Sequence, residues 1–209
     1  MRESAARRRG AERSRHPLRP FFTSLDSGMP AAPKRLAMWT IDRERPEDEE
    51  AIEALLDEAF SPARRRLTAY RFRDGIAPVA ELSWVLRGAG GELLGSIRFW
   101  PVLLEAAGRR ERALLLGPIA VAPRIRGNGA GLALIAHGLE AARMQGLARH
   151  VFLIGDLPYY ARAGFRPTLP ARAELPGPFA PERLLHYPLD ADAPPLPAVF
   201  ALRPLAGSV

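Results

Sequence analysis

The clearest periodic pattern of apolar residues follows Pro46. Four apolar residues there recur at positions i, i+3, i+4 and i+7 and therefore share one helix face: Ile52, Leu55, Leu56 and Ala59. Acidic residues at 47–50 favour the positive end of the helix dipole. The pattern predicts a helix that starts at Pro46. The arginine-rich residues 61–75 predict a second, shorter helix or an ordered loop.

Residues 81–104 carry the pattern of a β-hairpin. In 81–87 one face is apolar (Leu82, Trp84, Leu86), and the other residues alternate with it: Glu81, Ser83, Val85 and Arg87. A glycine-rich turn at 88–91 leads to a second strand over 92–104. A turn at 107–110 then precedes 113–121, which is continuously apolar and predicts a central strand buried on both faces. Three consecutive antiparallel strands result.

A glycine-rich turn and a helix follow this central strand. The apolar residues of the helix keep helical spacing as far as Gly146: Leu132, Ile135, Ala136, Leu139 and Ala142. Residues 150–154 predict another buried strand, so that strand, helix and strand form one βαβ crossover. The sequence thus predicts an α/β fold with a mixed, mostly antiparallel sheet and flanking helices.

The C-terminal part of the chain is broken into short elements. Residues 159–163 predict a short helix and 165–167 a terminal strand. Ten of the 21 prolines lie beyond residue 166 and leave room only for brief strands around 184–187 and 199–202. We expect this region to pack on the preceding domain as an extension.

Composition excludes several classes of protein. The 209 residues suffice for one domain with tails, and 47% hydrophobic with 25% charged residues is typical of globular proteins. No run approaches the roughly 18–20 apolar residues of a membrane-spanning helix, so we expect a cytoplasmic protein without a membrane partner. Because the chain has no cysteine and its four histidines lack ligand spacing, the predicted chemistry uses no metal.

The basic charge is concentrated at the N-terminus. Residues 1–35 hold nine Lys or Arg and three acidic residues, which is +6 of the net +7. Without apolar periodicity, 1–36 is expected to be a disordered basic tail. Alternatives are a start at Met29 or Met38 instead of Met1, an organellar transit peptide, or a nucleic-acid-binding arm. No aromatic residues lie among the arginine clusters for base stacking, so we expect no nucleic-acid partner.

The glycine-rich turn has the features of an anion site. Gly127, Gly129 and Gly131 leave the backbone bare where the loop enters the helix, so several N–H groups can point at one phosphate. The turn has neither the Gly-Lys-Ser/Thr of a P-loop nor the GxGxxG of a dinucleotide fold. An ordinary flexible turn is the alternative interpretation.

Two motifs, in this order, resemble the GNAT superfamily of N-acetyltransferases. The family has a strand that ends V-x-P and then R-x-x-G-x-G/A at the start of a helix; here 121–123 are Val-Ala-Pro and 126–131 are Arg-Gly-Asn-Gly-Ala-Gly. Its later Y-x-x-x-G-F element is Tyr-Ala-Arg-Ala-Gly-Phe at 160–165. The order of elements fits over 38–167, and the chain is similar to a subgroup of uncharacterised bacterial acetyltransferases.

The resemblance implies a GNAT acyl-CoA N-acyltransferase fold over 37–168, a Pro-rich extension over 169–209, and acetyl-CoA as cosubstrate. The loop amides, together with the Arg126 guanidinium, would hold the pyrophosphate. The exposed edge of the central strand would pair with the pantetheine amides like an added strand. The cofactor-binding residues implied in this way are Ile119, Ala120, Val121, Arg126, Gly127, Asn128, Gly129, Ala130 and Gly131.

The resemblance also implies direct transfer of the acetyl group to a primary amine. Tyr160 would protonate the departing thiolate, with Tyr159 as the less favoured donor, and the backbone N–H near Val121 would bind the developing oxyanion. The general base is left open between a water chain and four residues: Asp156, Glu105, Glu111 and His137.

The acceptor is not identified by any motif. We expect a small-molecule or peptide amine, and arginines on the expected acceptor side suggest a carboxylate or phosphate group on it: Arg64, Arg65, Arg66, Arg71 and Arg73. A solvated helix face explains these arginines equally well. A non-catalytic acyl-CoA-binding module is the alternative function, and a homodimer is left open.

Overall fold

One nine-stranded sheet organises residues 39–205, the part of the chain that the computed structural model describes. The predicted tail at 1–36 and its alternative start positions lie outside these residues. The strands are β1 (Trp39–Arg43), β2 (Trp84–Gly88), β3 (Leu93–Ala106), β4 (Arg109–Val121), β5 (His150–Ile154), β6 (Arg166–Pro167), β7 (Arg172–Glu174), β8 (Leu184–Pro188) and β9 (Val199–Pro204). The α-helices are α1 (Glu49–Phe60), α2 (Thr68–Arg71), α3 (Ala130–Gln145) and α4 (Leu157–Tyr160).

The sheet is antiparallel except at two places. Strands β1 to β4 pair in sequence order, and β4 then pairs in parallel with β5 across the α3 crossover. Strand β8 adds antiparallel to β5, and β6 pairs with β8. The long strand β3 pairs with β2 near its start and with β9 over 102–105, and β7 lies parallel to β9. The C-terminal region therefore contributes strands to the same sheet.

The two long helices cover opposite faces of this sheet. Arg98 on β3 bonds to Glu49 at the start of α1. The ring of Phe99, the next residue, packs over Gly138 of α3, where a Cβ would clash with it. Because successive side chains of a strand point to opposite faces, α1 and α3 lie on opposite sides.

The structure corrects two predicted burial patterns. The alternation in 81–87 places Val85 on a polar face, but Val85 is fully buried since helices cover both faces of the sheet. That strand also begins only at Trp84, after a 3-10 turn at Ala80–Leu82. On α3 the predicted apolar face is shifted, because Leu134 is buried and Ala136 is exposed.

The segment 61–75 combines both predicted outcomes. A 3-10 turn at Pro62–Arg66 is followed by the single-turn helix α2. Arg64 in that turn is almost fully buried and bonds to Glu53 and Asp57 of α1, with N–O distances of 2.8 and 2.7 Å. This ion pair fixes the turn against α1 and so positions α2 beside the sheet.

Removing Arg98 is expected to destabilise the fold strongly. Its guanidinium bonds to Glu44 at 2.6 Å, and the two side chains are only 7% and 13% exposed. An R98M variant leaves the Glu44 carboxylate buried without a partner, so we expect a loss of about 3–4 kcal/mol in the free energy of unfolding, measured by denaturant titration. R143M is the control, because the Arg143–Glu140 pair is more than half exposed and its loss should leave the free energy of unfolding nearly unchanged. Similar losses in both variants would contradict this account.

No helix within residues 39–205 is long and apolar enough to cross a membrane. Over the same residues, His, Asp and Glu side chains form no group of three or more that could hold a metal ion.

Candidate active site

A cleft opens where β4 and β5 diverge. The two strands pair only at Leu114–Val151 and Leu115–Phe152, although β4 continues for six residues beyond Leu115. Strand β4 has a bulge where it diverges from β5. It advances by three residues from Leu116 to Ile119, while the paired β3 covers the same distance with two, from Phe99 back to Ile97. The last residues of β4 therefore have a strand partner on the β3 side only.

The backbone amides of this segment alternate between β3 and the cleft. The amide of Ala122 donates to the Leu94 carbonyl of β3 at 2.8 Å. Because successive N–H groups of a strand point to opposite edges, the amides of Val121 and Ile119 point away from β3. They present two hydrogen-bond donors to the cleft.

Arg126 closes the end of this segment. Its Nε donates to the Val121 carbonyl at 3.2 Å, and its side chain is otherwise exposed. The GNAT resemblance implies a contact between this guanidinium and a phosphate group. In the structure one of its nitrogens is used to hold the end of β4, and the others remain available.

The glycine-rich turn brings the start of α3 to the cleft. Gly127 and Gly129 have φ angles of 80° and 81°, in the left-handed region that favours glycine. Gly129 is the N-cap of α3 and no side chain caps the helix, so the amides of its first turn have no protein partner within the helix. They form a cluster of donors at the positive end of the helix dipole.

Not all loop amides contribute to this cluster. The amides of Arg126 and Asn128 donate to the carbonyls of Pro123 and Ile125, at 3.2 and 3.4 Å, inside the turn. The prediction that both amides face a phosphate conflicts with these bonds, and Asn128 does not line the cleft. The donors that remain belong to Gly127 and to 129–131.

The cleft has a volume of about 400 Å³ and is positively charged. Its charged residues are Arg126 and Arg162, and none of the described residues that line it carries a carboxylate. The lining residues are Ala59, Phe60, Ile119, Ala120, Val121, Ile125, Arg126, Gly127, Gly129, Ala130, Gly131, Leu132, Tyr159, Tyr160 and Arg162. The structure therefore gathers the predicted strand and loop residues, apart from Asn128, around one cavity.

Both tyrosines line this cleft, in different surroundings. Tyr160 packs its ring against Gly155 and edge-on to Phe165, with the ring centroids 6.0 Å apart. Burial raises the pKa of Tyr160 to about 12, so its hydroxyl keeps its proton at neutral pH. Tyr159 is 38% exposed and its hydroxyl lies over Gly131, where a Cβ would clash with it.

The four side chains considered as general base lie outside the cleft. Glu105 and Glu111 are near the turn between β3 and β4; Glu111 is ten residues from Val121, or roughly 30 Å along the strand. Asp156 forms an ion pair with Arg183 at 3.2 Å. His137 lies edge-on to Trp84, and burial lowers its pKa.

The sequence motifs do not identify Arg162, Leu132 or the end of α1 as cleft residues. Arg162 can be found from the sequence, because it follows Tyr160 by two residues in the same motif. In the structure it lies close enough to Tyr159 to lower the pKa of that tyrosine, although burial raises this pKa by more. No sequence signal identifies Ala59 and Phe60 as cleft residues, since their position depends on how α1 packs on the sheet.

The model of the acetyltransferase (GNAT) family matches residues 49–165. The chain belongs to the GNAT family of N-acetyltransferases. The match runs from the first residue of α1 to the last residue of the tyrosine motif, so it encloses every residue of the predicted GNAT site. The resemblance recognised from the two motifs is confirmed.

Two curated relatives come from Escherichia coli K12, and both are described as uncharacterized N-acetyltransferases. YhbS is 32% identical over 123 residues, which cover 58% of this chain and 70% of YhbS. YjhQ is 35% identical over 77 residues, which cover 37% of this chain and 42% of YjhQ. The match thus spans less than half the length of YjhQ.

Solved GNAT structures share the fold. The E. coli YhbS structure in complex with CoA superposes with a TM-score of 0.65 at 25% identity and covers 78% of this chain and 89% of its own. A GNAT acetyltransferase from Brucella melitensis in complex with acetyl-CoA gives a TM-score of 0.51 at 31% identity and covers 71% and 95%. The predicted mixed, mostly antiparallel sheet with flanking helices is confirmed.

Proposed function

We propose that this GNAT protein transfers the acetyl group of acetyl-CoA directly to a primary amine. One observation carries the proposal: the unpaired edge of β4, the uncapped start of α3 and the Tyr160 side chain line the same cleft. Each supplies one function that acetyl transfer needs, namely binding of the acyl carrier, binding of its phosphates and a proton donor. The acetyl-CoA and CoA bound to the Brucella protein and to YhbS support this choice of cosubstrate.

Backbone amides on two walls of the cleft are suited to bind two polar parts of the cosubstrate, the pantetheine amides and the pyrophosphate. The amide of Ile119 is suited to pair with a pantetheine amide, as an added strand would, and the amide of Val121 stays available for the thioester oxygen. The first turn of α3 is suited to the pyrophosphate, because its free N–H groups and the helix dipole favour an anion. Arg126 and Arg162 supply the positive charge that two phosphates require.

The chemical step uses few groups of the protein. Acetyl-CoA supplies a thioester carbonyl that an amine can attack. The amine nitrogen forms the new bond to the carbonyl carbon and the carbon–sulfur bond breaks. The Val121 amide stabilises the oxyanion, and Tyr160 donates its proton to the leaving thiolate. Because the described residues that line the cleft include no carboxylate and no histidine, we assign the proton lost by the amine to water, from which the Tyr160 phenolate regains a proton.

The composition of the cleft lining favours a second candidate function. Because the described residues that line the cleft include no carboxylate and no histidine, the protein can serve as a non-catalytic acyl-CoA-binding module, in which the amides bind acetyl-CoA and no acetyl group is transferred. The two candidates agree on acetyl-CoA binding and differ only in turnover.

Calorimetric titration of the full chain with acetyl-CoA tests the part that both share. We expect a Kd on the order of 10 μM or lower. Release of the CoA thiol is then measured with a panel of primary amines. Turnover supports the transferase, whereas binding without turnover of any amine supports the binding module. A folded chain that does not bind acetyl-CoA would contradict both.

A further inference from the structure

Arg73 is a partly buried cation without a carboxylate partner among residues 39–205. Its Nε and Nη1 are inaccessible to solvent and have no hydrogen-bond partner. Three other largely buried arginines in this range each bind at least one carboxylate: Arg64, Arg87 and Arg98. Burial lowers the pKa of Arg73 to about 10, which still leaves it charged at neutral pH. A buried charge of this kind is costly unless a partner arrives.

Two aromatic rings hold the Arg73 guanidinium in place. Its Cζ lies 4.2 Å from the ring centroid of Tyr70 and 5.5 Å from that of Trp100. Both rings are uncharged, so they orient the guanidinium by cation–π contact without neutralising it. The Nε1 donor of Trp100 is also buried without a partner. Three buried donor nitrogens without a hydrogen-bond partner, two on Arg73 and one on Trp100, therefore lie in one stack.

The guanidinium lies beside Gly117 at the bulge of β4. A Cβ placed on Gly117 would lie 3.3 Å from the Arg73 Nη2, and no other described atom outside the adjacent residues comes within 4 Å of that point. Gly117 is two residues before Ile119, or roughly 7 Å along the strand, whose amide faces the cleft. Arg73 thus stands beside the place where β4 leaves β5.

The other arginines of this segment are already engaged or exposed. Arg64 and Arg65 bind Glu53, and Arg71 donates to the Pro176 carbonyl at 2.9 Å. Arg66 is exposed. Of the five arginines that the sequence offers as acceptor ligands, Arg73 is the one with buried guanidinium nitrogens and no carboxylate partner in the described structure.

We infer that the acceptor is an amine that also carries a carboxylate, and that the Arg73 guanidinium binds this carboxylate beside Gly117. The inference rests on the proposed acetyl transfer. A carboxylate matches the planar guanidinium and neutralises its single charge, whereas a phosphate dianion would leave excess negative charge in a buried place. The α3 turn occupies the opposite face of the sheet, so the acceptor and the phosphates of acetyl-CoA approach from different sides.

The test uses amines in pairs that differ only in the carboxylate: glycine, β-alanine and the L-α-amino acids, each with its primary amide. O-phosphoethanolamine is the phosphate arm. With the full chain, we expect the carboxylate member of the accepted pair to have a kcat/KM roughly tenfold or more above that of its amide, mainly through the acceptor KM. R73M should abolish this preference and R73K should keep part of it. R71M, two residues away, should retain the preference in full.

Calorimetry with CoA-saturated protein separates this inference from the proposed function. Arg73-dependent binding of a carboxylate-bearing amine without turnover supports the carboxylate site and contradicts acetyl transfer. Amides that turn over as well as their acids, a preference that survives in R73M, or a higher kcat/KM for O-phosphoethanolamine overturns the carboxylate site and leaves acetyl transfer standing. Failure of every carboxylate-bearing amine to bind or react also overturns it. An unchanged Kd of R73M for acetyl-CoA shows that the variant is folded.

Discussion

Replacing Gly129 by valine is expected to raise the Kd for acetyl-CoA by about two orders of magnitude or more. No described atom outside the adjacent residues lies within 4 Å of a Cβ built on Gly129, so the valine side chain meets open space at the cleft and not the protein. That space is where an anion must approach the first amides of α3. Loss of two hydrogen bonds to a charged group, at about 1.5–3 kcal/mol each, accounts for the effect. Calorimetry with acetyl-CoA measures it.

A matched control is available at the other end of the same helix. Gly146 ends α3 with a φ of 63° and also has open space around its Cβ. G146V therefore introduces similar backbone strain, about 1–2 kcal/mol, without touching the cleft. We expect both variants to lose stability by similar amounts and only G129V to lose affinity. If G129V binds acetyl-CoA like the wild type, or if G146V binds it as poorly as G129V does, the proposal of a phosphate site at this turn is wrong.

The second large effect is expected for Y160F, with a fall in kcat of about two to four orders of magnitude. The substitution removes one hydroxyl and keeps the ring that packs on Gly155 and Phe165. The Kd for acetyl-CoA should therefore stay within about twofold of the wild type. Y159F is the control, because the exposed Tyr159 places its hydroxyl over Gly131. A kcat that falls in Y159F but not in Y160F would transfer the role of acid to Tyr159.

The raised pKa of Tyr160 fixes the pH dependence of this prediction. Its folded-state pKa of about 12 exceeds the ordinary value of 10.0, so the folded chain holds the proton more tightly than the unfolded chain. The contribution of this pKa shift to the free energy of unfolding is fully present below pH 10 and is lost as the pH rises from 10 through 12. The acid thus stays protonated throughout the neutral range. Y160F should flatten the fall in stability above pH 10, which denaturation at several pH values can measure.

Local sequence patterns predicted the elements whose burial is decided within one element. The periodicity after Pro46 identified α1, and the continuously apolar 113–121 identified the core of β4. Val85 was misplaced because its burial depends on helices distant in sequence that cover both sides of β2. The pairing of β9 with the second half of β3 was also beyond local patterns, since no turn or periodicity links strands so far apart.

In the candidate site, too, locally encoded features were predictable from the sequence and features that depend on packing were not. The two motifs led to the glycine turn and to Tyr160, because a turn and its φ angles are encoded locally. Which loop amides remain free was not predictable, since the amides of Arg126 and Asn128 are used by bonds that only the folded turn reveals. Five arginines looked alike in the sequence, and only packing against Tyr70 and Trp100 distinguishes Arg73 from the others.

The position of β9 has a consequence for synthesis of the chain. This strand pairs with β3 about 100 residues after β3 has left the ribosome, and its Phe200 and Leu202 are buried in the core that also contains Trp100. Until β9 emerges, the apolar wall behind Trp100 faces water. The nascent chain can fold the α3 side of the sheet first, and the wall that supports Arg73 is the last to form. A ribosome-bound intermediate would thus form the glycine-rich turn before the wall that supports Arg73.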